Sequence, residues 1–79
     1  EVDLRGMVVE DALQTLDRYL DDASLSALPG VRIIHGKGTG VLRREVRRFL
    51  GEHPLVASYE SAADREGGEG VTIASLLAG

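Results

Sequence analysis

The stretch Val31-Arg32-Ile33-Ile34-His35-Gly36-Lys37-Gly38-Thr39-Gly40 decides the fold of this 79-residue chain. The apolar run that opens it predicts a strand from Val31 to His35, and the amphipathic pattern that follows it predicts a helix. Between them, three glycines in five residues predict a tight turn, because glycine adopts positive φ angles and allows close approach to the backbone. The helix directs its free N–H groups and its positive dipole end at this turn, which therefore suits an anion such as a phosphate.

The glycine spacing separates this turn from two familiar phosphate-binding loops. Gly36, Gly38 and Gly40 read Gly-x-Gly-x-Gly, whereas a Walker loop requires Gly-x4-Gly-Lys-Ser/Thr and the dinucleotide fingerprint requires Gly-x-Gly-x-x-Gly. The same turn carries His35, which can transfer protons near neutral pH, and Lys37, a fixed cation. A plain glycine turn that only joins a strand to a helix is the alternative interpretation.

The remaining elements follow from the same kind of pattern. Upstream, alternation over Glu1–Arg5 predicts a strand, and helical spacing from Val9 to about Ala23 predicts an amphipathic helix with the poor N-cap residue Val8. Downstream, the second helix is expected from Gly40 or Val41 to Glu52, because Pro54 disfavours helical geometry before it. Two closing strands are expected at Leu55–Glu60 and Val71–Leu76, joined by a mobile glycine-rich loop over 62–70.

The predicted order is therefore βαβαββ. Strands that alternate with helices long enough for parallel crossovers predict an α/β fold, an α+β two-layer sandwich, in which a four-stranded mixed sheet carries both helices on one face. The opposite face of the sheet would be open or covered by a partner.

Length and composition predict one small domain over residues 1–79. A chain of this length with 43% hydrophobic residues can bury a single core, and its lack of cysteine excludes disulfides and thiolate metal sites. No apolar run approaches the length of a membrane span, so we expect a soluble cytoplasmic protein with no membrane partner. Because the chain does not begin with Met, we expect it to be an excised part of a larger protein.

The charges of the chain are strongly segregated. The formal net charge is -4, yet residues 31–50 hold six basic residues against one acidic residue, and the remainder carries a net charge of -9. At helical spacing four arginines share one side of the second helix, opposite its apolar residues. Such a surface predicts phosphate contacts, and an ordinary solvated helix face is the alternative.

Two motifs, Val2-Asp3-Leu4-Arg5-Gly6 and His35-Gly36-Lys37-Gly38-Thr39-Gly40, together resemble those of the Smr (small MutS-related) domain. The separation of the motifs, the basic helix and the closing strands extend the resemblance over nearly the whole chain. The Arg5 form is similar to Smr domains at the C-terminus of the second type of bacterial MutS paralogue. The resemblance implies a fold similar to the C-terminal domain of translation initiation factor three.

The resemblance also implies an activity and partners. Smr domains include endonucleases that nick DNA, so it implies a phosphodiester hydrolase acting on branched or duplex DNA in suppression of recombination or in DNA repair. Some relatives cut RNA at stalled ribosomes, which makes structured RNA or the ribosome the alternative substrate. The rest of the parent protein would be a further partner.

The residues can be given roles in such a reaction. If the first two strands are parallel neighbours, their carboxyl ends bring Asp3 and Arg5 beside His35. Cleavage requires charge stabilisation, assigned here to Arg5, and proton transfer, assigned to His35 with Asp3. The predicted phosphate- and nucleic-acid-binding residues are Gly36, Lys37, Gly38, Thr39, Gly40, Arg43, Arg44, Arg47 and Arg48.

One departure from the family bears on activity. Many Smr nucleases have a histidine at the position of Arg5, and a guanidinium that stays protonated cannot replace it in proton transfer. Asp3 could hold a divalent cation, but a single carboxylate is a weak metal signal, so the sequence leaves any metal or other cofactor open.

Other interpretations stay open beside the nuclease. Arg5 in place of histidine favours a module that binds DNA or RNA without cutting it, and the open sheet face would suit a protein-interaction domain. Asp3 and Arg5 could pair only with each other, and His35 could be a packed histidine bonded to the backbone. We expect His53 to be a surface residue near the end of the second helix.

Overall fold

The computed structural model describes residues 1–77. Its regular elements are β1 (Val2–Asp3), α1 (Val9–Leu25), β2 (Gly30–Ile34), α2 (Val41–Glu52), β3 (Val56–Ser61) and β4 (Val71–Leu76). Two short 3₁₀ helices, Asp64–Glu66 and Gly68–Gly70, lie between β3 and β4. The predicted βαβαββ order is confirmed.

The four strands form one mixed sheet in the order β1-β2-β4-β3. β1 pairs with β2 in parallel, placing Asp3 opposite Ile34, and β4 pairs antiparallel with both β2 and β3. The parallel pairing brings the ends of β1 and β2 to the same edge of the sheet. The first motif contains β1 and the turn after it, and the second motif directly follows β2.

The core lies between the sheet and the two helices. Val31 and Ile33 on β2 are buried, whereas the alternate residues Arg32 and Ile34 are only half-buried. The helices contribute their apolar stripes to the same cluster, namely Ala12, Leu16, Leu20 and Ala23 from α1 and Val46 and Leu50 from α2. The alternation along β2 is what a sheet with both helices on one side requires.

β1 is shorter than the predicted strand Glu1–Arg5. The Asp3 carboxylate accepts the backbone N–H of Arg5 at 3.0 Å, a local turn that competes with continuation of the strand. Leu4 still donates its N–H to the carbonyl of Ile34 at 2.7 Å, and its side chain is fully buried. The turn therefore redirects the chain after one anchored core residue.

α1 runs two residues beyond the predicted end at Ala23. The periodicity marks only the buried stripe, of which Ala23 is the last member, whereas the helix ends where Ala27 adopts a left-handed φ of 58°. Leu28 donates its N–H to the carbonyl of Ala23, and Ala27 donates to that of Ser24, both at 3.0 Å. These two bonds are the Schellman arrangement that terminates helices.

The other boundaries differ by one residue or not at all. β2 spans Gly30–Ile34 instead of Val31–His35, because the N–H of His35 turns away to the carbonyl of Gly70 at 3.1 Å. β3 starts and ends one residue later than predicted, whereas α2 and β4 match the prediction.

The loop over 62–70 is built differently from the free hairpin tip expected from its glycines. The two 3₁₀ helices fold it back, and the carbonyl of Gly70 accepts the N–H groups of both His35 and Gly36. The loop thus supports the glycine-rich turn, while its mobility stays a prediction. Within residues 1–77, no helix combines the length and the apolar character needed to cross a lipid bilayer.

Candidate functional site

A groove of about 470 Å³ separates the segment after β1 from the glycine-rich turn. Residues 6–9 line one wall and residues 35–43 line the other. Residues 7–34 separate the two motifs in the chain, and the motifs meet here because β1 and β2 are parallel neighbours. This is the edge at which open sheets commonly bind ligands.

The backbone amides of the turn divide into satisfied and available groups. Gly36 donates to the carbonyl of Gly70 at 2.9 Å, and Gly40 donates to that of Lys37 at 3.1 Å. Those two amides are therefore bonded within the fold, so Gly36 and Gly40, although predicted to bind phosphate, do not offer a free amide to a ligand. Within residues 1–77, the N–H groups of Lys37, Gly38 and Thr39 have no acceptor.

The first turn of α2 adds further donors to the same wall. Gly40 occupies the N-cap position with a φ of 86° and has no side chain that could cap the helix. In the described part of the chain, the N–H groups of Leu42 and Arg43 have no acceptor, and that of Val41 reaches only the Thr39 hydroxyl at 3.4 Å. Unpaired amides and the positive dipole end make this wall favourable for an anion.

His35 lines the groove, but its ring is held within the fold. The residue is 4% exposed, its Nδ1 lies 2.9 Å from the carbonyl oxygen of Gly36, and its Nε2 lies 2.8 Å from Oγ1 of Thr72. A carbonyl only accepts, so Nδ1 carries the proton, and the Thr72 hydroxyl donates to Nε2. This arrangement fits a neutral imidazole.

The electrostatic surroundings act in the same direction. Burial lowers the pKa of His35 below its ordinary value of 6.5, and the guanidinium groups of Arg47 and Arg43 lower it further. The hydrogen bond to Gly36 and the charge of Glu69 oppose this shift but do not reverse it. His35 is therefore uncharged in the folded domain at neutral pH.

Asp3 and Arg5 form a two-pronged ion pair at the end of β1. Arg5 donates from Nη2 to Oδ2 of Asp3 at 2.7 Å and from Nε to Oδ1 at 3.0 Å. The side-chain and backbone hydrogen bonds from Arg5 lower the pKa of the Asp3 carboxyl from 3.8 to about 2. The partner of Asp3 is thus Arg5, and the predicted pairing of Asp3 with His35 is not formed.

The aliphatic part of Arg5 rests against the glycine-rich turn. A β-carbon built on Gly36 would lie 3.2 Å from Cγ of Arg5, so the absence of a side chain there makes room for Arg5. The guanidinium remains well exposed. Asp3, with both oxygens bonded to Arg5, is poorly suited to hold a cation.

The four arginines of α2 are not equivalent, which corrects the expectation of one uniform basic face. Arg43 pairs with Glu69 at 2.7 Å, and Arg47 turns toward the sheet to donate to the hydroxyls of Thr72 and Ser61. Arg44 and Arg48 are exposed, and Arg44 makes only a long contact with Glu45 at 3.4 Å. Two of the four guanidinium groups are thus directed to solvent.

Sequence reasoning missed Thr72 and Glu69, which contact three predicted site residues, namely His35, Arg47 and Arg43. Thr72 is fully buried, and the available signal was a polar residue in a mainly apolar strand, β4, whose other polar residue, Ser75, is exposed. Glu69 carried no signal of its own, because it is one of several acidic residues in a charged loop.

A second groove, at the far end of the helices, holds one imidazole and two carboxylates, His53, Asp17 and Asp21, whose nearest ligand atoms lie within 4.8 Å of one another. Nδ1 of His53 accepts the N–H of Leu55 at 3.1 Å, which places the ring proton on Nε2, 2.8 Å from Asp17. That nitrogen has no lone pair for a metal in this tautomer. The side chain of His53 is 7% exposed, so the expected surface histidine is instead a link between α1 and α2.

Comparison with known proteins places these features in a family. The model of the Smr domain matches residues 2–76. The protein named Endonuclease MutS2 of Thermomicrobium roseum is 57% identical over 76 residues, and that of Geobacillus thermodenitrificans is 54% identical over the same length. These alignments cover 96% of this chain and 10% of each relative, so the chain spans about a tenth of their length.

Two solved structures share the fold. The Smr domain of Thermus thermophilus MutS2 superimposes with a TM-score of 0.95 at 43% identity, covering 96% of this chain and 95% of that one. YdaL, a stand-alone small MutS-related protein from Escherichia coli, superimposes with a TM-score of 0.89 at 30% identity, covering 95% of this chain and 62% of that one. With the two motifs, their shared groove and these matches, the chain belongs to the Smr domain family.

Proposed function

We propose that this domain binds nucleic acid by its phosphates in the groove beside the glycine-rich turn and nicks DNA there. The observation that carries the proposal is a set of five amides without acceptors, those of Lys37, Gly38, Thr39, Leu42 and Arg43, on one wall of that groove within the described residues. Lys37 adds a positive charge to the same wall. This is the arrangement by which backbone amides hold phosphate oxygens.

In this proposal, different groups around the groove have different roles in the cleavage reaction. The exposed guanidinium of Arg5, oriented by Asp3, stabilises the charge that develops on the phosphate in the transition state. His35 accepts the proton of the attacking water, since burial keeps its imidazole in the neutral form that a general base requires. The water oxygen bonds to phosphorus as the bond from phosphorus to the leaving sugar oxygen breaks, and that oxygen takes a proton from solvent water. To act, its Nε2 must exchange the Thr72 hydroxyl for that water.

The names of the relatives support a nuclease within a larger protein. Proteins called Endonuclease MutS2 match this chain over about a tenth of their length, and we propose that the domain is the cutting part of such a protein, with the remaining domains as its partners. Its work would then be suppression of recombination or DNA repair. RNA is the alternative substrate, because phosphate contacts do not distinguish the two nucleic acids.

A second candidate function is binding without cleavage. It is favoured by one observation, namely that both ring nitrogens of His35 are already hydrogen-bonded and that Asp3 is tied to Arg5. A domain of this kind would deliver a larger protein to nucleic acid by holding its backbone.

Nicking of supercoiled plasmid, with and without a chelator, tests the proposal, and labelled RNA serves as the parallel substrate. We expect His35→Ala to slow nicking by at least ~100-fold while leaving affinity for DNA nearly unchanged, because general base catalysis is lost and a neutral imidazole adds little to phosphate binding. Thr72→Val is the informative companion, since it removes the bond that occupies Nε2 but keeps the imidazole.

The outcomes separate the two functions. Nicking by the wild-type domain that survives in a folded His35→Ala variant would remove His35 from the chemistry. Binding without cleavage of either nucleic acid under all metal conditions would establish the second candidate function instead. Absence of binding to DNA and RNA at low salt would overturn both.

A further inference from the structure

Three of the exposed large apolar residues line the groove. Met7 is 39% exposed and Val8 is 65% exposed on one wall, and Val41 is 40% exposed on the other. Single exposed apolar residues are common, but several on both walls of one groove indicate a contact surface. The phosphate-binding amides lie in the same groove.

Val8 is unusual for its position in two ways, as a helix N-cap and as an exposed apolar residue. It occupies the N-cap of α1 without any side-chain hydrogen bond, at a position where serine or aspartate would cap the helix. It is also the most exposed of the three apolar residues on its wall. Neither departure benefits the fold, and residues of this kind concentrate at functional sites.

The groove therefore offers two different environments next to each other. One consists of free amides with Lys37, and the other consists of the aliphatic side chains of Met7, Val8 and Val41. A ligand that fits both is anionic at one end and apolar at the other. A nucleotide has this composition, with its phosphate beside the flat apolar face of its base.

We propose that Met7, Val8 and Val41 form an apolar subsite for the base of an unpaired nucleotide whose phosphate lies on the glycine-rich turn. In a regular duplex the faces of the bases are covered by stacking, so only an unpaired or unstacked base presents its face to a protein. Apolar side chains commonly insert at such unstacked steps. This inference rests on the proposed function and adds to it the kind of nucleic-acid structure that the groove selects.

Three DNA probes of equal length test the inference by their dissociation constants. The first is a continuous duplex, the second carries one unpaired nucleotide, and the third carries an abasic residue in place of that nucleotide. We expect the wild-type domain to favour the second probe about fivefold over the other two, the effect of burying roughly 40 Å² of apolar surface. The abasic probe keeps the backbone distortion and removes only the base.

The matched variants are Met7→Ser combined with Val8→Ser, and Leu25→Ser as the control. Leu25 is 87% exposed at the other end of α1, so its change removes exposed apolar surface away from the groove. We expect the double variant to lose the preference for the unpaired nucleotide while keeping its affinity for the continuous duplex and the salt dependence of that affinity. The Leu25→Ser variant keeps the preference.

Each result is decisive. Equal affinities of the wild-type domain for all three probes, or a preference that persists in the folded double variant, would overturn the subsite and leave phosphate binding intact. If the wild-type domain binds none of the three probes, the proposed function is overturned together with the subsite. If instead the wild-type domain self-associates in sedimentation and the double variant does not, Met7, Val8 and Val41 contact a second copy of the chain, and the subsite for a base is overturned.

Discussion

The Nε2 atom of His35 lies 2.8 Å from Oγ1 of Thr72, a residue that is fully buried in the central strand β4. Arg47 reaches the same hydroxyl through its Nε at 3.4 Å. The chain of hydrogen bonds from Arg47 through Thr72 to His35 joins the basic helix, the sheet and the glycine-rich turn. Because every member donates in one direction, the chain of bonds is complete only while the imidazole is neutral.

Stability should therefore fall on mild acidification. The unfolded chain binds a proton at His35 near the ordinary pKa of 6.5, whereas burial lowers the pKa in the folded domain. The contribution of His35 is complete above pH 6.5 and is lost as the pH falls through the lowered pKa. Thermal unfolding of wild type and of His35→Asn between pH 7.5 and pH 5 measures it, and we expect the difference between them to shrink in acid.

The pH range in which His35 affects stability is distinct from that of Asp3. Folding lowers the pKa of Asp3 from 3.8 to about 2, so its contribution to stability is present above pH 3.8 and is lost as the pH falls toward 2. Thr72→Val gives an independent check, since it leaves Nε2 without its partner and should cost about 1–3 kcal/mol at neutral pH. A pH dependence that is the same in wild type and in His35→Asn would contradict the neutral, buried imidazole.

The arginines of α2 should separate into two classes. Arg44 and Arg48 face solvent, so Arg44→Ala and Arg48→Ala should each reduce the slope of log affinity against log salt by about 0.9 on duplex DNA. Arg18→Ala removes an exposed arginine from α1 instead. It is the control and should leave the slope unaltered. DNA-binding titrations at several salt concentrations measure these slopes. If all three variants keep the slope of the wild-type domain, α2 is excluded from the interface.

Arg47→Ala should instead affect the fold. Its guanidinium donates to the hydroxyls of Thr72 and Ser61, so truncation leaves the end of the sheet without these bonds. We expect a loss of about 1 kcal/mol of unfolding free energy in denaturant titrations. A stability equal to that of wild type would place Arg47 with the solvent-facing class.

Gly38 should matter more for binding than for folding. Its φ is 37° and a β-carbon there would meet nothing within 4 Å, so Gly38→Ala enters open space in the groove at the cost of backbone strain. We expect affinity for DNA to fall about tenfold, since the methyl group displaces a phosphate oxygen from the amides. Gly68→Ala, at a φ of 51° away from the groove, imposes similar strain and should leave affinity unchanged.

Ala27 offers a stabilising change outside the site. It holds the left-handed position of the Schellman arrangement with a φ of 58°, where a β-carbon is unfavourable. Ala27→Gly should raise the free energy of unfolding by about 0.5–1 kcal/mol, after allowance for the greater entropy of glycine in the unfolded chain. Ser26→Gly, at a φ of -85°, should lower it, and the reverse order would contradict this account of the helix end.

Much of the architecture could be predicted from the sequence because periodicity reports directly on burial. The apolar stripe of α1, the strand before the glycines and the stop at Pro54 are local properties, and each produced an element close to its predicted place. The glycine spacing likewise predicts an anion-binding turn, and the structure confirms that a turn follows β2. Boundaries failed where polar groups formed local turns, as Asp3 does with Arg5.

The partners of the site residues could not be predicted in the same way. Thr72 lies 37 positions from His35, and Glu69 lies 26 positions from Arg43. Those contacts exist because β4 inserts between β2 and β3 and carries the end of its loop to the glycine-rich turn. Nothing in the spacing of either motif specifies that insertion.

By itself, then, the sequence determined the elements and the face that each one buries, and it predicts the place where an anion would bind, since these depend on neighbours along the chain. The tertiary structure alone decided which amides of the turn are free, that His35 is held neutral by Thr72 and that only Arg44 and Arg48 of the basic helix face solvent. The reason is that hydrogen-bond satisfaction and pKa depend on groups brought together by strand order, and strand order is a property of the whole fold.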